Sequence, residues 1–403
     1  MQNIAIFTVC NLAYIPKALV LARSVRQFNS ERLRIYLIDR KVDVGLPEAD
    51  AELVWIEDCD IPNLYQLAFM YDIIEFSTSL KPTIALQLLR EYDAVIFLDP
   101  DTCVYSPLSP IVNDLQHHAV ILTPHYLTPQ TNDPGESDVG MMRFGSFNLG
   151  FFAVRREATS LAFLNWWADR CARWSFMESQ FGLSTDQKWV SIAPCLFPDL
   201  YTSRNPGYNA AAWNTFERRL TRVGDSVMVN DRYPLIFFHF SNFDHNDPEY
   251  LNKRSIPEQH EHKPVLLWLG AEYSRQLKEN NLPICNVRYA FDYMSEGEYI
   301  SPTLRRAYAS VISELPQGHD PFDSKGVVGD FARKNFLFEK KNERYRAQGY
   351  AESRQSANVR RLKYIYIVLR LVLRIVGPNS FYNLSRLLVY LSSYRQNRQL
   401  WKL

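Results

Sequence analysis

The stretch AVIFLDPDTCVYSPL, residues 94–108, joins an apolar run to two carboxylates and decides how the chain is expected to fold. Ala94 to Leu98 have the length of a buried strand, and Asp99-Pro100-Asp101 follows at once. Asp-Pro is a common turn signal, so the two acids could simply open a turn. Carboxylates two positions apart in an extended turn can also reach one hard divalent cation. The residues alone leave both interpretations open.

Apolar runs of similar length alternate with segments of helical spacing along the first part of the chain. Further strands are predicted over residues 4–9, 34–38, 53–56, 120–123, 150–154 and 235–240, and a helix over about 160–173. This alternation indicates an α/β protein with a buried, mostly parallel sheet flanked by helices. Ligands of such sheets bind outside the carboxyl ends of the strands, which is where Asp99 and Asp101 are expected.

Bulk composition narrows the class of protein. With 403 residues and 47% hydrophobic content, the chain can bury a large core. No apolar run is long enough to span a bilayer without charges, and the N-terminus MQNIAIFTVCN lacks the features of a signal peptide. We therefore expect the main body in the cytoplasm. The six cysteines are scattered singly, so reduced thiols are expected.

The charge of the chain is unevenly distributed. Residues 354–403 carry ten Lys or Arg and no acid, whereas residues 1–352 carry 35 basic and 44 acidic residues. Apolar residues at helical spacing accompany these cations on either side of Gly377-Pro378: Ile365, Val368, Leu369, Val372 and Val376, then Leu384, Leu387, Leu388 and Leu391. Such helices fit an anionic membrane surface. A hairpin packed on the rest of the chain or on a second copy is the alternative, and the apolar content argues against nucleic acid.

Four segments together resemble a known family. STSLKPTIALQLLREYDAVIFLDPDTCVYSPL (77–108) resembles the helix, strand and acidic DxD turn of GT-A glycosyltransferases. FNLGFFAVRR (147–156), STDQKWVSIAP (184–194) and PLIFFHFSNF (234–243) fit the type that includes glycogenin and the bacterial lipopolysaccharide galactosyl- and glucosyltransferases. The resemblance covers about residues 1–245 and implies a GT-A (Rossmann-like) fold, to which the charge and helical spacing of the last residues add a C-terminal helical basic extension.

The resemblance, composition and charge together predict three regions along the chain. Residues 1–250 would be the catalytic, nucleotide-sugar-binding domain, 251–350 a mixed or helical extension, and 351–403 a basic amphipathic helical tail.

The resemblance implies a metal site. Asp99, Asp101 and His239 would bind Mn²⁺ or Mg²⁺, and an imidazole beside carboxylates suits Mn²⁺ slightly better. His239 could equally be a satisfied core histidine, and His245 is a second candidate ligand.

The resemblance assigns further site residues by their place in the matching segments. Candidates for binding the nucleotide, the diphosphate and the sugar of the donor are Thr8, Val9, Cys10, Tyr14, Lys81, Asp99, Asn148 and Gly150. Candidates for catalysis are Lys81, Asp186 and Gln187. Candidates for lining the acceptor or sugar site are Asn205, Tyr208, Asn209 and Trp213.

Each of these assignments has a structural alternative. Tyr14 could be a packing aromatic at a helix start, and Lys81 an exposed helix lysine. Asp186 could cap the helix that follows it. The segment 205–214 could be a structural loop.

The activity that the resemblance implies is metal-dependent transfer of a sugar, expected to be UDP-linked, to a glycan or lipid-linked acceptor. It would serve bacterial surface polysaccharide or lipopolysaccharide synthesis at the inner face of the cytoplasmic membrane, with retention at the anomeric carbon. Ser241-Asn242-Phe243 departs from the Gly- and Lys-containing motif of the family. Two other classes stay open: a nucleotidyltransferase, although TVCNLAYIPKAL (8–19) lacks the expected Gly-rich basic loop, and a non-catalytic glycan- or nucleotide-binding module.

Overall fold

The computed structural model describes residues 3–42, 51–129, 138–244, 250–251, 254–255, 263–280, 282–339 and 356–403. The chain comprises two compact units. The first contains residues 1–64 and 73–290, and the second contains residues 65–72 and 291–403. The three regions predicted from the sequence stay a prediction.

The strands of the described ranges all belong to the first unit. They are β1 Ile4–Cys10, β2 Leu33–Leu37, β3 Ala51–Trp55, β4 Ala94–Leu98, β5 Thr102–Val104, β6 Val120–Pro124, β7 Phe147–Arg155, β8 Met177–Glu178, β9 Leu183–Ser184, β10 Leu200–Thr202, β11 Ala210–Ala211, β12 Leu220–Val223, β13 Ser226–Val229, β14 Tyr233–Pro234, β15 Phe237–His239, β16 Tyr250–Leu251 and β17 Arg254–Ser255.

Helices occur in both units. They are α1 Ile15–Phe28, α2 Leu64–Met70, α3 Ile73–Ser79, α4 Lys81–Leu88, α5 Ser109–His117, α6 Asp138–Phe144, α7 Ala158–Trp174, α8 Gln187–Val190, α9 Ala193–Leu196, α10 Lys263–Glu279, α11 Pro302–Val311, α12 Val327–Lys334, α13 Ser356–Val376 and α14 Pro378–Leu391.

A seven-stranded sheet forms the centre of the first unit, with the strand order β10-β6-β7-β4-β1-β2-β3. The pairs β1–β2, β1–β4, β2–β3 and β6–β10 are parallel, whereas β7 is antiparallel to both β4 and β6. The predicted mostly parallel α/β sheet is therefore confirmed. Reversal of β7 brings the beginning of this strand to the edge where β1, β4 and β6 end.

Helices cover both faces of this sheet because its central strands are apolar on both sides. Every residue of β4 is buried. On one face, Ile96 and Leu98 belong to a core cluster that includes residues of α1 and α5. On the other face, the rings of Phe97, Phe152 and Trp167 pack in sequence, each pair of centroids 5.2 Å apart. This burial makes β4 a rigid base for the carboxylates that follow it.

A second, three-stranded sheet has the order β11-β15-β5, and its strand β5 follows β4 in the sequence. β15 is antiparallel to β5, where His239 faces Thr102, and parallel to β11, where His239 faces Ala211. This pairing brings three distant segments, residues 102–104, 210–211 and 237–239, side by side.

The second unit is helical, with a core of aromatic rings around α11. The ring of Phe69 lies edge-on to those of Tyr308 and Phe322, with centroids 4.8 and 5.3 Å away. At its C-terminal end, Gly377 has φ +80 and separates α13 from α14, as the predicted break requires. Among the described residues, no helix is both long and apolar enough to cross a membrane.

Candidate active site

A cavity of about 440 Å³ opens in the first unit near the carboxyl ends of β4 and β6. Its lining combines carboxylates, amides and imidazoles with a few apolar side chains. The residues are Ile74, Thr78, Lys81, Asp99, Asp101, His125, Phe144, Asn148, Leu149, Gly150, Met177, Ser184, Thr185, Asp186, Gln187, Trp213, His239, Ser241 and Asn242.

Asp99, Asp101 and His239 come together at one side of this cavity. The N–H of Thr102 donates to the carbonyl of Asp99 at 3.0 Å, so the Asp-Pro-Asp segment is indeed a turn. The N–H of Phe240 donates to the carbonyl of Asp101 at 2.8 Å, which holds the turn against the end of β15. Nε2 of His239 then lies 3.1 Å from Oδ1 of Asp101 and 3.8 Å from Oδ2 of Asp99. The two interpretations of Asp99-Pro100-Asp101 are therefore compatible, since the segment forms a turn and also brings both carboxylates close to His239.

Electrostatics within this trio favour the charged forms of Asp101 and His239. Burial alone would raise the pKa of Asp101, but His239 and Lys17 hold it well below its usual range. Burial opposes protonation of His239, yet the carboxylates of Asp101 and Asp99 raise its pKa. Nζ of Lys17, in the first turn of α1, is 3.8 Å from Oδ2 of Asp101. Cations thus surround the carboxylates on two sides.

The ammonium group of Lys81 is the second charged feature of the cavity. Lys81 is 4% exposed, which excludes the alternative that it is an exposed lysine on a helix surface. Nζ lies 3.2 Å from Oδ1 of Asp99 and 3.4 Å from Oδ2 of Asp186, and it donates to the carbonyl of Leu149 at 2.9 Å. Burial opposes its charge, but Asp186 and Asp99 raise its pKa.

Asp186 and Gln187 lie at the start of α8. Asp186 occupies the position before the helix, yet its side chain makes no capping hydrogen bond there. It accepts instead from the hydroxyl of Thr185 at 3.1 Å and pairs with Lys81. Burial raises the pKa of Asp186, and Lys81 opposes this shift. The side chain of Gln187 accepts from the N–H of Leu149 at 3.3 Å, which ties α8 to β7.

The beginning of β7 forms the floor between the two charged groups. The carbonyl of Gly150 accepts from the N–H of Asp99 at 2.8 Å. A Cβ at Gly150 would lie 2.4 Å from Cε1 of His239 and 2.8 Å from Oδ1 of Asn148. Glycine is thus required for the close approach of the His239 ring.

The predicted nucleotide-binding residues lie at the end of β1 and the start of α1. Thr8, Val9 and Cys10 are buried, and they are not among the residues that line the cavity. Tyr14 is 43% exposed, and Nζ of Lys17 lies 4.2 Å from the centre of its ring. Lys17 contacts both the ring of Tyr14 and the carboxylate of Asp101, so Tyr14 is linked to the trio through Lys17.

The four candidates from the loop 205–214 have different positions. Trp213 lines the cavity, with its ring edge-on to that of His239 at 5.3 Å. Asn209 is buried beside it and contacts Asn148 and His239. The hydroxyl of Tyr208 donates to Asp114 at 3.0 Å and does not line the cavity. The side chain of Asn205 accepts from the N–H of Gly207 at 2.9 Å.

The polar residues near the trio that the sequence analysis missed include Lys17 and His125. His125 lines the cavity directly after β6, and Nδ2 of Asn148 donates to its Nε2 at 3.3 Å. Burial lowers the pKa of His125 to about 4, so the ring is neutral near pH 7. Its place at the carboxyl end of a strand was the available signal. Lys17 carried no such signal. His245 lies outside the described residues.

The trio fits a divalent metal ion. One ligand atom from each of Asp99, Asp101 and His239 can be chosen so that all lie within 4.8 Å of one another. Two carboxylates and one imidazole form a donor set for Mn²⁺ or Mg²⁺ rather than for a soft metal. The identity of the ion stays a prediction.

No protein-family model matches the chain. The solved structures to which it is similar include glycosyltransferases, as the resemblance in the sequence predicts. The glycosyltransferase GlyE of Streptococcus pneumoniae TIGR4 has a TM-score of 0.38 and 17% identity, over 69% of this chain and 63% of that chain, less than two thirds of its length. The galactosyltransferase LgtC, in complex with donor and acceptor sugar analogues, has a TM-score of 0.37 and 16% identity, over 66% of this chain and 95% of that chain.

One relative by sequence is the uncharacterized protein YfnF of Bacillus subtilis (strain 168). It is 24% identical over 243 residues, which is 59% of this chain and 80% of YfnF. All these sequence similarities are low.

Proposed function

We propose that the chain is a metal-dependent glycosyltransferase that moves a sugar from a nucleotide-sugar donor to a glycan or lipid-linked glycan acceptor. The observation that carries the proposal is the juxtaposition of the trio Asp99, Asp101 and His239 with the buried pair Lys81 and Asp186 in one cavity. A site of this kind can hold a divalent cation and a diphosphate on one side and sugar hydroxyls on the other.

In this proposal the residues of the site share the work of transfer. The bond between the anomeric carbon and the diphosphate breaks, and a bond to the acceptor oxygen forms. The cation, when bound, stabilises the negative charge that develops on the diphosphate. Lys81 supplies a fixed positive charge beside it, which requires no reorganisation during the reaction. Asp186 and Gln187 hold the hydroxyls of the sugar, and Trp213 shields one side of the cavity from water.

We propose that transfer proceeds with retention. The carboxylates among the described residues of the cavity lining are Asp99, Asp101 and Asp186. The first two belong to the metal-compatible trio, and Asp186 is held by Lys81 and Thr185. None of them is left over as a base, so the proton of the acceptor hydroxyl would pass to the leaving diphosphate. The expected donor is a UDP-sugar.

We further propose that residues 354–403 bind an anionic membrane surface, close to a lipid-linked acceptor. Large apolar side chains on α13 and α14 are well exposed, among them Ile367, Leu371, Ile375 and Leu388. Basic residues without any acid accompany them. This combination favours anionic lipid over a neutral surface.

The test of the proposed activity measures release of nucleoside diphosphate from a panel of nucleotide sugars with and without Mn²⁺. Asp101→Asn keeps the volume of the side chain but removes a charged ligand, so turnover is expected to fall at least about 100-fold. The matched control is Asp225→Asn, which makes the same change at a fully exposed position and should leave turnover unchanged.

Each outcome of this test discriminates between classes of protein. Mn²⁺-dependent turnover of one donor that is lost in Asp101→Asn supports the transferase. Tight binding of a donor without turnover, even in the presence of candidate acceptors, would favour a non-catalytic binding module. Release of pyrophosphate from a nucleoside triphosphate would favour a nucleotidyltransferase.

A further inference from the structure

Asn209 lies in the middle of a chain of hydrogen bonds between the cavity wall and the metal-compatible trio. It is 2% exposed and does not line the cavity itself. Its Nδ2 donates to the hydroxyl of Thr123 and to Oδ1 of Asn148, each at 3.0 Å. Its Oδ1 lies 3.3 Å from Nδ1 of His239. Asn209 therefore connects His239 with strands β6 and β7.

One backbone group fixes the direction of these bonds. The N–H of Gly150 donates to Oδ1 of Asn148 at 3.0 Å, and a backbone N–H can only donate. The Asn209 atom that faces this oxygen at 3.0 Å must therefore be the amide nitrogen. Oδ1 of Asn209 is left facing His239. Because an amide oxygen only accepts, Nδ1 of His239 carries the hydrogen.

A hydrogen on Nδ1 decides what the other ring nitrogen can do. In the neutral imidazole, Nε2 then has a free lone pair. Nε2 is the atom that faces the carboxylates, 3.1 Å from Asp101 and 3.8 Å from Asp99. Metal-binding histidines commonly give their other N–H to an oxygen acceptor, which fixes both tautomer and ring orientation.

The backbone supports Asn209 in this position. Its φ of +52 lies in the left-handed region, which asparagine tolerates better than most residues. The next residue, Ala210, pairs with Phe238 on β15, so the pairing of β11 with β15 sets the distance to His239. Trp213 packs edge-on against the same imidazole.

We propose that Asn209 is a positioning residue that holds His239 in the tautomer and orientation that direct Nε2 at a divalent cation shared with Asp99 and Asp101. The inference rests on the proposed function, since it concerns the metal which that function requires. It assigns to the loop 205–214 a role in metal affinity.

The experiment measures Mn²⁺ affinity of the full chain by electron paramagnetic resonance of the free ion, without any substrate. Asn209→Ala removes the acceptor of the Nδ1–H bond, and the Mn²⁺ dissociation constant is expected to rise about 10- to 100-fold. Asn209→Asp keeps an accepting oxygen and tolerates the left-handed backbone, so it should recover most of the affinity. The matched control is Thr123→Val, which removes another partner of the same amide but leaves Oδ1 facing His239.

Thermal unfolding of each metal-free variant separates positioning from folding. Weak Mn²⁺ binding by Asn209→Ala, with recovery in Asn209→Asp and no resolved change in Thr123→Val, supports the proposal. Unchanged affinity in Asn209→Ala overturns it and leaves the metal site intact. Equal losses in all three variants, in proportion to their stability, would also overturn it, because they would indicate a structural role. A wild-type chain that binds no Mn²⁺ overturns both this inference and the metal-dependent function.

Discussion

At the scale of single residues, the burial of Lys81 is better explained by a role in the proposed reaction than by a contribution to the stability of the fold. A buried ion pair is weak support for a fold, because desolvation of both charges offsets much of their attraction. Here one ammonium group lies between Asp99 and Asp186, and the oxygen of Leu149 takes a further hydrogen. Such an arrangement keeps a positive charge fixed at the edge of a cavity. That is the condition for stabilising a diphosphate leaving group without reorganisation.

The prediction at this scale concerns Gly150. In Gly150→Ala, the added Cβ would lie 2.4 Å from Cε1 of His239, so the imidazole ring or the strand must shift. Overpacking of this kind costs about 1–3 kcal/mol of stability. If His239 binds the proposed cation, we expect Mn²⁺ affinity to fall at least about tenfold, the loss that follows when the orientation of a histidine ligand is disturbed. Titration with Mn²⁺, together with denaturant unfolding, measures both effects.

The control for Gly150→Ala is Gly182→Ala. Gly182 has φ +80 and open space around it, so alanine there strains the backbone by about 1–2 kcal/mol and touches nothing. Its stability should fall by a similar amount while Mn²⁺ affinity stays at the wild-type value. If Gly150→Ala also binds Mn²⁺ as tightly as the wild type, the position of His239 does not depend on this glycine.

At the scale of elements, strand ends explain how much of the site the sequence could predict. β4 and the acids after it were predictable because an apolar run of five residues ends in a turn signal. Periodicity could not predict that the segment FNLG (147–150) lies in the site. It does so because β7 is antiparallel to β4 and β6, which places the beginning of β7 beside the ends of these two strands. The link between Asn209 and His239 depends on the pairing of β11 with β15, and no local pattern encodes it.

Arg305 of α11 provides the prediction at this scale. Its guanidinium is buried and donates to the carbonyls of Ala68, Phe69 and Tyr71 at 2.6–3.0 Å, which ties the segment 65–72 to the helix. It also pairs with Asp292 at 2.8 Å. Arg305→Met removes the donor that these oxygens share, and the second unit is expected to lose about 3–5 kcal/mol of stability.

Hydrogen exchange can check the effect of Arg305→Met within the second unit. Faster exchange is expected in the segment 65–72 and in α11, whereas β4 serves as an internal reference. Lys325→Met removes the same charge from an exposed pair with Glu296, and exposed ion pairs contribute little to stability. Equal exchange in the two variants would mean that the Arg305 contacts do not hold the segment.

At the scale of the whole molecule, charge and apolar surface are divided between regions of the chain. Residues 1–352 carry an excess of acids, whereas the last fifty residues carry ten cations and no acid. The acidic part contains the cavity with its own cations, Lys17 and Lys81. The basic part presents exposed aliphatic side chains on α13 and α14. An anionic surface would therefore repel the first part and attract the second, and the proposed membrane binding depends on this difference.

The last prediction tests this attraction in the full chain by flotation with vesicles. Ile367, Leu371 and Ile375 are 53%, 57% and 74% exposed and lie at intervals of four residues on α13. The triple change of these residues to serine removes apolar area that would enter the lipid, and binding to anionic vesicles is expected to fall at least about tenfold.

Changing Arg370 and Arg374 to glutamine should weaken binding by about 2 kcal/mol, and added salt should weaken binding of the wild type as well. Wild-type binding that is equal on neutral and anionic vesicles would contradict the electrostatic part of the proposal. A different result would be a wild-type chain that does not bind vesicles but forms a dimer in sedimentation, while the triple variant is a monomer. This result would show that a second copy covers Ile367, Leu371 and Ile375.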